Sequence, residues 1–158
     1  YVVYGRDFTG GVTGAGTAGN DSLAGSSSAE NFVGGRGNDV IDGGGGADVL
    51  LGGAGDDVLV WRDGIRRLDG DHGSDTLRLT GSDVVLDFAR VGPGVVHDIE
   101  TIDLGGSGNN LLRLGLTDVL AIAEHAELRI DGNGGDVVLS TRQGWVAGGT
   151  TTVGDQVY

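Results

Sequence analysis

The sequence predicts an all-β fold: a parallel β-roll followed by a β-rich C-terminal capping segment that contains one short helix. Two observations predict it. The first half of the chain carries a strict nine-residue period of glycines, an acid and a large apolar residue. Glycine supplies 34 of the 158 residues and proline only one, which disfavours a helix bundle, and no three-residue period of the collagen type is present.

The charge of the chain favours cations as partners. Acidic residues outnumber basic ones by 23 to 10, and the formal net charge of −13 argues against binding a nucleic-acid backbone. All basic residues are arginine, which excludes a phosphate-binding loop or a Schiff base that needs lysine. Because the chain has no cysteine and no long apolar run, we expect neither disulfides nor membrane insertion.

The period and the composition divide the chain into three segments. We predict that residues 1–15 are the end of an upstream repeat or a linker, residues 16–78 the β-roll, and residues 79–158 the capping segment. The first eight residues, "YVVYGRDF", resemble the end of an FG-GAP repeat. The chain is therefore expected to be part of a larger multidomain protein.

The β-roll is predicted from units of nine residues. Those at 34–42, 43–51 and 52–60 begin with paired glycines and carry aspartate at the sixth position. In a short strand the eighth residue points to one face and its neighbours to the other, so the eighth residues form a shared interior. Six glycine-rich residues then turn the chain back, and two units complete a coil of eighteen residues. The eighth residues are Leu23, Phe32, Ile41, Leu50, Leu59, Leu68 and Leu77.

Acids at the sixth positions come face to face in successive coils. Like charges about 4 Å apart repel by about 4 kcal/mol at an effective dielectric of ~20, so a cation is expected between them. Calcium fits best, because it accepts carboxylate and carbonyl oxygens in loose geometry, whereas magnesium requires a stricter octahedron. Zinc prefers His and Cys ligands, which the turns lack apart from one histidine. The alternative is a set of plain Gly-Asp turns with solvated acids.

These units resemble the RTX family, whose nonapeptide G-G-x-G-x-D-x-U-x builds calcium-loaded β-rolls in proteins exported by type I secretion. Residues 34–60 fit the pattern almost fully, and 16–33 and 70–78 fit it with substitutions. The resemblance implies that each ion lies between turns eighteen residues apart. The earlier turn would supply the carbonyls of positions two and four and its acid, and the later turn the carbonyls of positions one and three and its acid.

The resemblance places three calcium ions in a row along one edge of the roll. The first site would consist of Gly35, Gly37, Asp39, Gly52, Ala54 and Asp57. The second would consist of Thr17, Gly19, Asp21, Gly34, Arg36 and Asp39. The third would consist of Gly53, Gly55, Asp57, Gly70, His72 and Asp75.

The opposite edge departs from the pattern. Its acids are Glu30 and Asp48, and the next sixth position is Arg66. We expect no ion between Asp48 and Arg66, and our hypothesis is that Arg66 neutralises Asp48 directly. A further calcium site would join the following residues across that edge: Ser26, Ser28, Glu30, Gly43, Gly45 and Asp48.

The second half predicts strands within 83–89, 95–104 and 109–116, a helix over 117–127 with Thr117 as its N-cap, and two strands around a glycine turn in 127–140. It resembles the C-terminal segment of large type I-secreted, adhesin-like proteins. The stretches that carry this resemblance are "IETIDLGGSGNNLLRLGLTDVLAIAE" and "LRIDGNGGDVVLSTRQGWVAGGTTTVGDQVY".

Three other acidic groups have two interpretations each. Asp69 and Asp71 either assist the third site or are solvated. The stretch "DGNGGD" at 131–136 either holds an ion or forms a plain turn, and the turn is favoured. Glu100 and Asp103 are either a carboxylate pair or solvent-facing strand residues, and again the simpler interpretation is favoured.

Catalytic motifs are missing from the sequence. It contains neither H-E-x-x-H nor G-x-S-x-G, so we do not predict an enzyme. The predicted function is a calcium-binding, calcium-folded module of a large type I-secreted extracellular protein of a Gram-negative bacterium, with calcium and the secretion machinery as partners. The alternatives are a module of a surface adhesin that binds a surface glycan or another cell-surface partner, and an accessory domain of a secreted hydrolase.

Overall fold

Short parallel strands recur along the chain and wind around one interior. The structure is a computed structural model that describes residues 10–123 and 127–140 and the two short strands at 152–153 and 156–157. The stretch "YVVYGRDF" lies outside the described residues. The strands, in chain order, are β1 (Gly14–Ala15), β2 (Ser22–Ala24), β3 (Asn31–Arg36), β4 (Val40–Asp42), β5 (Val49–Ala54), β6 (Val58–Val60), β7 (Arg67–His72), β8 (Thr76–Arg78), β9 (Val85–Asp87), β10 (Val96–His97), β11 (Thr101–Asp103), β12 (Leu111–Leu114), β13 (Arg129–Asp131), β14 (Val137–Ser140), β15 (Thr152–Val153) and β16 (Gln156–Val157).

Three parallel sheets form the solenoid. The first has the strand order β1-β3-β5-β7-β10, the second β13-β11-β8-β6-β4-β2, and the third β14-β12-β9. In the nonapeptide region each strand pairs with the strand two units further on, so that Phe32 lies beside Leu50 and Leu50 beside Leu68. The predicted all-β parallel roll is confirmed. The strands β15 and β16 form a separate antiparallel pair.

The eighth residues of the units form the core, as predicted. Ile41, Leu50, Leu59, Leu68 and Leu77 are fully buried, because each lies on the inward face of its strand and stacks on its equivalent in the next coil. The outward apolar residues differ between the two sheets. Val49 and Leu51 are buried on the first sheet, whereas on the second Val60 is buried and Val40 is 39% exposed.

Left-handed backbone angles at the second and fourth positions turn the chain between strands. Gly35 and Gly37 have φ angles of 112° and 99°, and Gly53 and Gly55 have 115° and 132°. Glycine adopts such angles without steric cost, which explains the repeated glycines of the period. The turn at 70–75 departs from this rule, because Asp71 occupies the second position with φ 69°.

Beyond β8 the coils become longer and the solenoid gains its third side. The hydrogen bonds from a backbone N–H to an acid or amide side chain of a neighbouring coil span 18 residues in the nonapeptides and 25 or 26 residues beyond them. The chain passes through β9 in the third sheet before β10 and β11 rejoin the first and second sheets. Both original sheets therefore continue across residue 78, where we placed the boundary of the capping segment. That division stays a prediction.

One helix, α1 (Leu116–Ile122), follows β12 and lies next to β10, where a further strand of the first sheet would otherwise be. The N–H of Ile99 donates to the carbonyl of Ile122 at 2.8 Å. The predicted N-cap, Thr117, is wrong: the helix begins after Gly115, whose N–H donates to the Asp118 carboxylate at 2.7 Å. An acid three residues on thus satisfies the cap. Within the described residues no helix is long and apolar enough to cross a membrane.

Both strands predicted around the glycine turn of 127–140 are present, but they do not form a hairpin. The first, β13, pairs with β11 in the second sheet, and the second, β14, pairs with β12 in the third. The turn between them is therefore a corner of the solenoid.

We expect Leu59→Ala to lower the free energy of unfolding by about 2–5 kcal/mol, because Leu59 is fully buried between its equivalents in neighbouring coils. Val40→Ala is the control, since Val40 is partly exposed, and it should cost less than about 1 kcal/mol. Urea unfolding at one fixed, high calcium concentration measures both. Equal losses for the two variants would contradict the inward position of Leu59.

Candidate metal centre

The acids of one edge stack on each other through a repeated hydrogen bond. The N–H of Asp21 donates to Oδ1 of Asp39 at 2.8 Å, that of Asp39 to Oδ1 of Asp57 at 2.7 Å, and that of Asp57 to Oδ1 of Asp75 at 2.8 Å. Each bond joins residues 18 apart. The four sixth-position aspartates that the sequence predicted are thus brought together in one row.

The other carboxylate oxygen of three of these acids is buried without a partner. Asp39, Asp57 and Asp75 are each 1% exposed, and their Oδ2 atoms accept no hydrogen bond. A buried carboxylate oxygen without a partner is costly unless a cation or a proton neutralises it. Each of these three acids therefore has one buried oxygen that can bind a cation in the gap between its own coil and the next.

In the first predicted site, backbone carbonyls of the earlier turn face the later turn. The carbonyl oxygens of Gly35 and Gly37 lie so close to Gly53 and Gly55 that a Cβ atom at either glycine would collide with them. The left-handed φ angles of the second and fourth positions direct these carbonyls along the roll.

Carbonyls of the later turn face back into the same gap. The carbonyl of Ala54 accepts a hydrogen bond from the N–H of Gly37 at 2.8 Å. A Cβ atom at Gly34 would collide with both the carbonyl oxygen of Gly52 and Oδ2 of Asp39. A glycine is therefore required at this first position, and the four predicted carbonyls and two carboxylates border one gap.

The second predicted site has three of the corresponding carbonyls in place but a differently held acid. The carbonyls of Thr17 and Gly19 lie against Gly35 and Gly37, and the carbonyl of Gly34 lies against Gly16. The N–H of Arg36 donates to the Thr17 carbonyl at 3.3 Å.

The acid of this second site, Asp21, is only partly buried. Its Oδ2 accepts hydrogen bonds from the N–H and the hydroxyl of Thr17, at 2.6 and 2.9 Å. Of the two acids at this end of the row, only Asp39 keeps a buried oxygen without a partner.

The third predicted site includes His72 through its backbone alone. The His72 carbonyl accepts the N–H of Gly55 at 2.9 Å, whereas its ring is largely exposed and its Nδ1 lies 2.6 Å from Oδ1 of Asp71. The carbonyls of Gly55 and Gly70 lie against Gly73 and Gly52, and Gly53 pairs with Asp71. Asp69 does not assist this site, because Arg67 holds its carboxylate at 2.7 Å.

On the opposite edge Glu30 and Asp48 stack in the same way. The N–H of Glu30 donates to Oδ1 of Asp48 at 2.9 Å, and Oδ2 of Asp48 is buried without a partner. The Glu30 carboxylate turns back onto Ser26, accepting its N–H at 2.6 Å and its hydroxyl at 2.9 Å. Carbonyls of Ser26, Ser28 and Gly43 lie against Gly44, Gly46 and Gly25, while Gly45 donates its N–H to the Ser26 carbonyl at 2.7 Å.

Arg66 lies beyond this stack. Its side chain is exposed, and its N–H donates to the Asp48 carbonyl at 2.8 Å. Oδ2 of Asp48 has no hydrogen-bond partner, and the neutralisation of Asp48 by Arg66 stays a prediction.

Burial raises the pKa values of three of the stacked acids, Asp48, Asp57 and Asp75. Desolvation, reinforced by the neighbouring carboxylates, raises the pKa of Asp57 to about 6 and that of Asp75 to about 7. The pKa of Asp48 is also raised, mainly by desolvation. Without a cation, these carboxyl groups therefore retain protons at a pH at which a solvated aspartate is ionised.

Sequence reasoning missed one member of the row, Glu100. The N–H of Asp75 donates to Oε2 of Glu100 at 2.7 Å across 25 residues. The nine-residue period cannot reveal this contact, because Glu100 lies in the first long coil. Asp103, the partner considered for a carboxylate pair, is bound instead to Arg78 at 2.8 Å.

A third edge of the solenoid, formed by the turns around Asn110 and Asp136, carries a related stack. Both carboxylate oxygens of Asp136 accept a hydrogen bond there. The N–H of Asn110 donates to Oδ1 of Asp136 at 2.8 Å, and the N–H of Val84 donates to Oδ1 of Asn110 at 2.9 Å. The Asn110 amide donates to the Leu104 carbonyl, and Oδ2 of Asp136 accepts the N–H of Asn133 at 2.7 Å. The stretch "DGNGGD" is thus a hydrogen-bonded turn.

The family of the nonapeptides follows from a comparison with known families. The model of the RTX calcium-binding nonapeptide repeat, in 4 copies, matches residues 13–29 and 24–59. This segment consists of RTX repeats. RTX nonapeptide repeats bind Ca²⁺. Calcium is therefore the cation expected beside the buried carboxylate oxygens that have no hydrogen-bond partner. Comparisons with the curated proteins and with the solved structures give no match.

The ligand chemistry of the RTX gaps depends on the backbone. Among the described residues no group of three or more His, Cys, Asp or Glu side chains is arranged to hold a metal. An ion between two turns would therefore need carbonyl oxygens in addition to the two carboxylates, which is a ligand mixture that calcium accepts.

We expect the calcium-free roll to be more stable at about pH 5 than at about pH 8. The raised pKa values of Asp57 and Asp75 mean that the folded state binds protons that the unfolded state releases. The free energy of unfolding of the calcium-free chain should therefore fall as the pH rises from about 4 to about 7. Far-UV circular dichroism in calcium-free buffer measures the β content across this range.

The doubly substituted chain Asp57→Asn/Asp75→Asn should lose most of this pH dependence, because neither amide titrates. Asp63→Asn, at an exposed acid outside the row, should keep it. A β content of the unmodified chain that rises with pH in the absence of calcium would contradict the assignment.

Proposed function

We propose that the RTX segment is a calcium-folded module whose coils stack only when ions occupy the gaps between its acidic turns. The observation that supports this most directly is the row of buried Oδ2 atoms of Asp39, Asp57 and Asp75, none of which has a hydrogen-bond partner. The bound ions would supply positive charge to this row. The residues themselves orient the ligands and exclude water.

We assign the ligands of the best-formed site from the oxygens around one gap. The carboxylates of Asp39 and Asp57 and the carbonyls of Gly35, Gly37 and Gly52 border it, together with the carbonyl of Ala54. These are six oxygens, the lower end of the coordination number that calcium adopts. The third site lies one coil later, and the second lies one coil earlier, where Thr17 already holds the carboxylate of Asp21.

The folding switch follows from the charge of the row. At low calcium the ionised acids repel each other, and the glycine-rich turns lose much conformational entropy on ordering. Calcium sites of extracellular modules have dissociation constants of about 10⁻⁴–10⁻³ M. At tenfold excess, each filled site contributes about 1.4 kcal/mol, so several sites act together on a marginally stable roll.

We further propose that the chain belongs to a protein exported by type I secretion and folded outside the cell. The RTX match over residues 13–59 supports this, because export through that route is a property of the family. The formal charge of −13 keeps the calcium-free chain extended, and calcium outside the cell then favours the compact state. The adhesin and hydrolase contexts stay predictions from the sequence.

A calcium titration of the chain, followed by far-UV circular dichroism, should show a cooperative gain of β structure that magnesium at the same concentrations does not produce. A β spectrum that persists after calcium removal at neutral pH would show that the apolar core alone holds the roll. That result would contradict the proposed calcium-dependent folding.

Asp57→Asn should raise the calcium midpoint at least about tenfold, because Asp57 borders the gaps on both of its sides. Asp63→Asn removes the same charge from an exposed position and should shift the midpoint less than about twofold. Isothermal titration calorimetry checks both values. Equal shifts would indicate a general charge effect.

A further inference from the structure

The row of acids continues beyond the nonapeptides. The N–H of Asp75 donates to Oε2 of Glu100 at 2.7 Å, just as the N–H of Asp57 donates to Oδ1 of Asp75 at 2.8 Å. Glu100 belongs to the first long coil, 25 residues further on, and lies outside the residues that match the RTX repeat. The last aspartate of the roll therefore faces one more carboxylate.

A buried oxygen of Asp75 points into this additional gap. In the regular turns, Oδ2 of Asp57 and the carbonyl oxygen of Gly70 in the following turn both lie against Gly52. At the end of the roll, Oδ2 of Asp75 and the carbonyl oxygen of Asp98 lie against Gly70 in the same way. Asp75 is 1% exposed, and its Oδ2 has no hydrogen-bond partner. The gap therefore contains an oxygen atom, Oδ2 of Asp75, that can bind a cation and has no hydrogen-bond donor beside it.

The earlier turn of the gap adopts the backbone conformation that directs carbonyls in the regular sites. Asp71 and Gly73 have positive φ angles of 69° and 145°, like their equivalents Gly53 and Gly55 one coil earlier. Asp98, on the far side, has φ 47°. Aspartate is one of the few residues besides glycine that adopt such angles, so both turns can form without glycine at these places.

The longer side chain of Glu100 matches the shorter turn that carries it. Gly70 and Asp75 are five positions apart, whereas Asp98 and Glu100, which take the equivalent places, are only two apart. The additional methylene of glutamate lets the carboxylate reach the N–H of Asp75 from this shorter turn. Glutamate is thus suited to close the row where the coil length changes.

We propose that this junction is a further calcium site. Its ligands are the carboxylates of Asp75 and Glu100 and the carbonyls of Asp71, Gly73 and Asp98. The site rests on the proposed calcium-dependent folding and extends it, because it joins the first three-sided coil to the RTX roll through a shared ion. Calcium then orders the chain beyond the nonapeptides as well.

The test is the number of calcium ions bound by the 158-residue chain at saturation, measured by native mass spectrometry and by equilibrium dialysis. Glu100→Gln keeps an oxygen that can accept the N–H of Asp75 but removes the charge. This variant should bind one ion fewer than the unmodified chain. Glu127→Gln, at an exposed glutamate, is the matched control and should bind the full number.

An unchanged number of ions in folded Glu100→Gln would overturn this site and would mean that Asp75 is neutralised by a proton. If Glu100→Gln does not fold, Glu100→Lys decides, because its ammonium group provides the cation. Glu100→Lys should fold and bind one ion fewer, and the full number in this variant would also overturn the site.

The outcome separates this proposal from the preceding one. If the unmodified chain binds no calcium, the calcium-folded module itself is wrong. If the unmodified chain binds calcium and Glu100→Gln binds just as many ions, only the junction site is wrong.

Discussion

One repeated hydrogen bond organises the roll: the N–H of each sixth-position acid donates to the carboxylate of the acid in the next coil. This bond aligns the turns and so sets the register in which Leu50 meets Leu68 in the core. It also holds the carboxylates of Asp39, Asp57 and Asp75 together in a buried position, where their charges require a counterion. The hydrogen bond that aligns the coils is therefore also the reason why the row of carboxylates requires a cation.

The repeat made the first half predictable from the sequence. Because all units share one phase, the inward position of Leu59 and the stacking of Asp39 on Asp57 follow from a single unit and the offset between coils. The carbonyls of Gly35 and Gly37 as ligands came from the resemblance to the RTX family, and the structure places both against the next turn. A periodic sequence repeats its local geometry, so each additional unit tests the same interpretation.

The second half could not be predicted to the same depth, because its coils have no common sequence period. Nothing in the spacing indicates that Glu100 meets Asp75 or that α1 occupies the place of a strand beside β10. Those contacts depend on where the long loops return the chain. The prediction of Thr117 as N-cap was wrong for a local reason. The Asp118 carboxylate accepts the N–H of Gly115, so the helix begins there without the hydroxyl of Thr117.

The third edge of the solenoid, on which Asn110 lies, differs from the edge that carries the row of aspartates. Asn110 carries a donor and an acceptor in one neutral side chain, and all of its bonds are made within the protein. Its rung therefore closes without an ion, whereas the rungs of Asp39 and Asp57 do not. In a stack where each coil contacts only its neighbours, such a rung aligns its own coils without help from the rest of the solenoid. The third edge thus keeps its coils in register whether or not calcium is bound, whereas the row of aspartates does so with the ions that we propose.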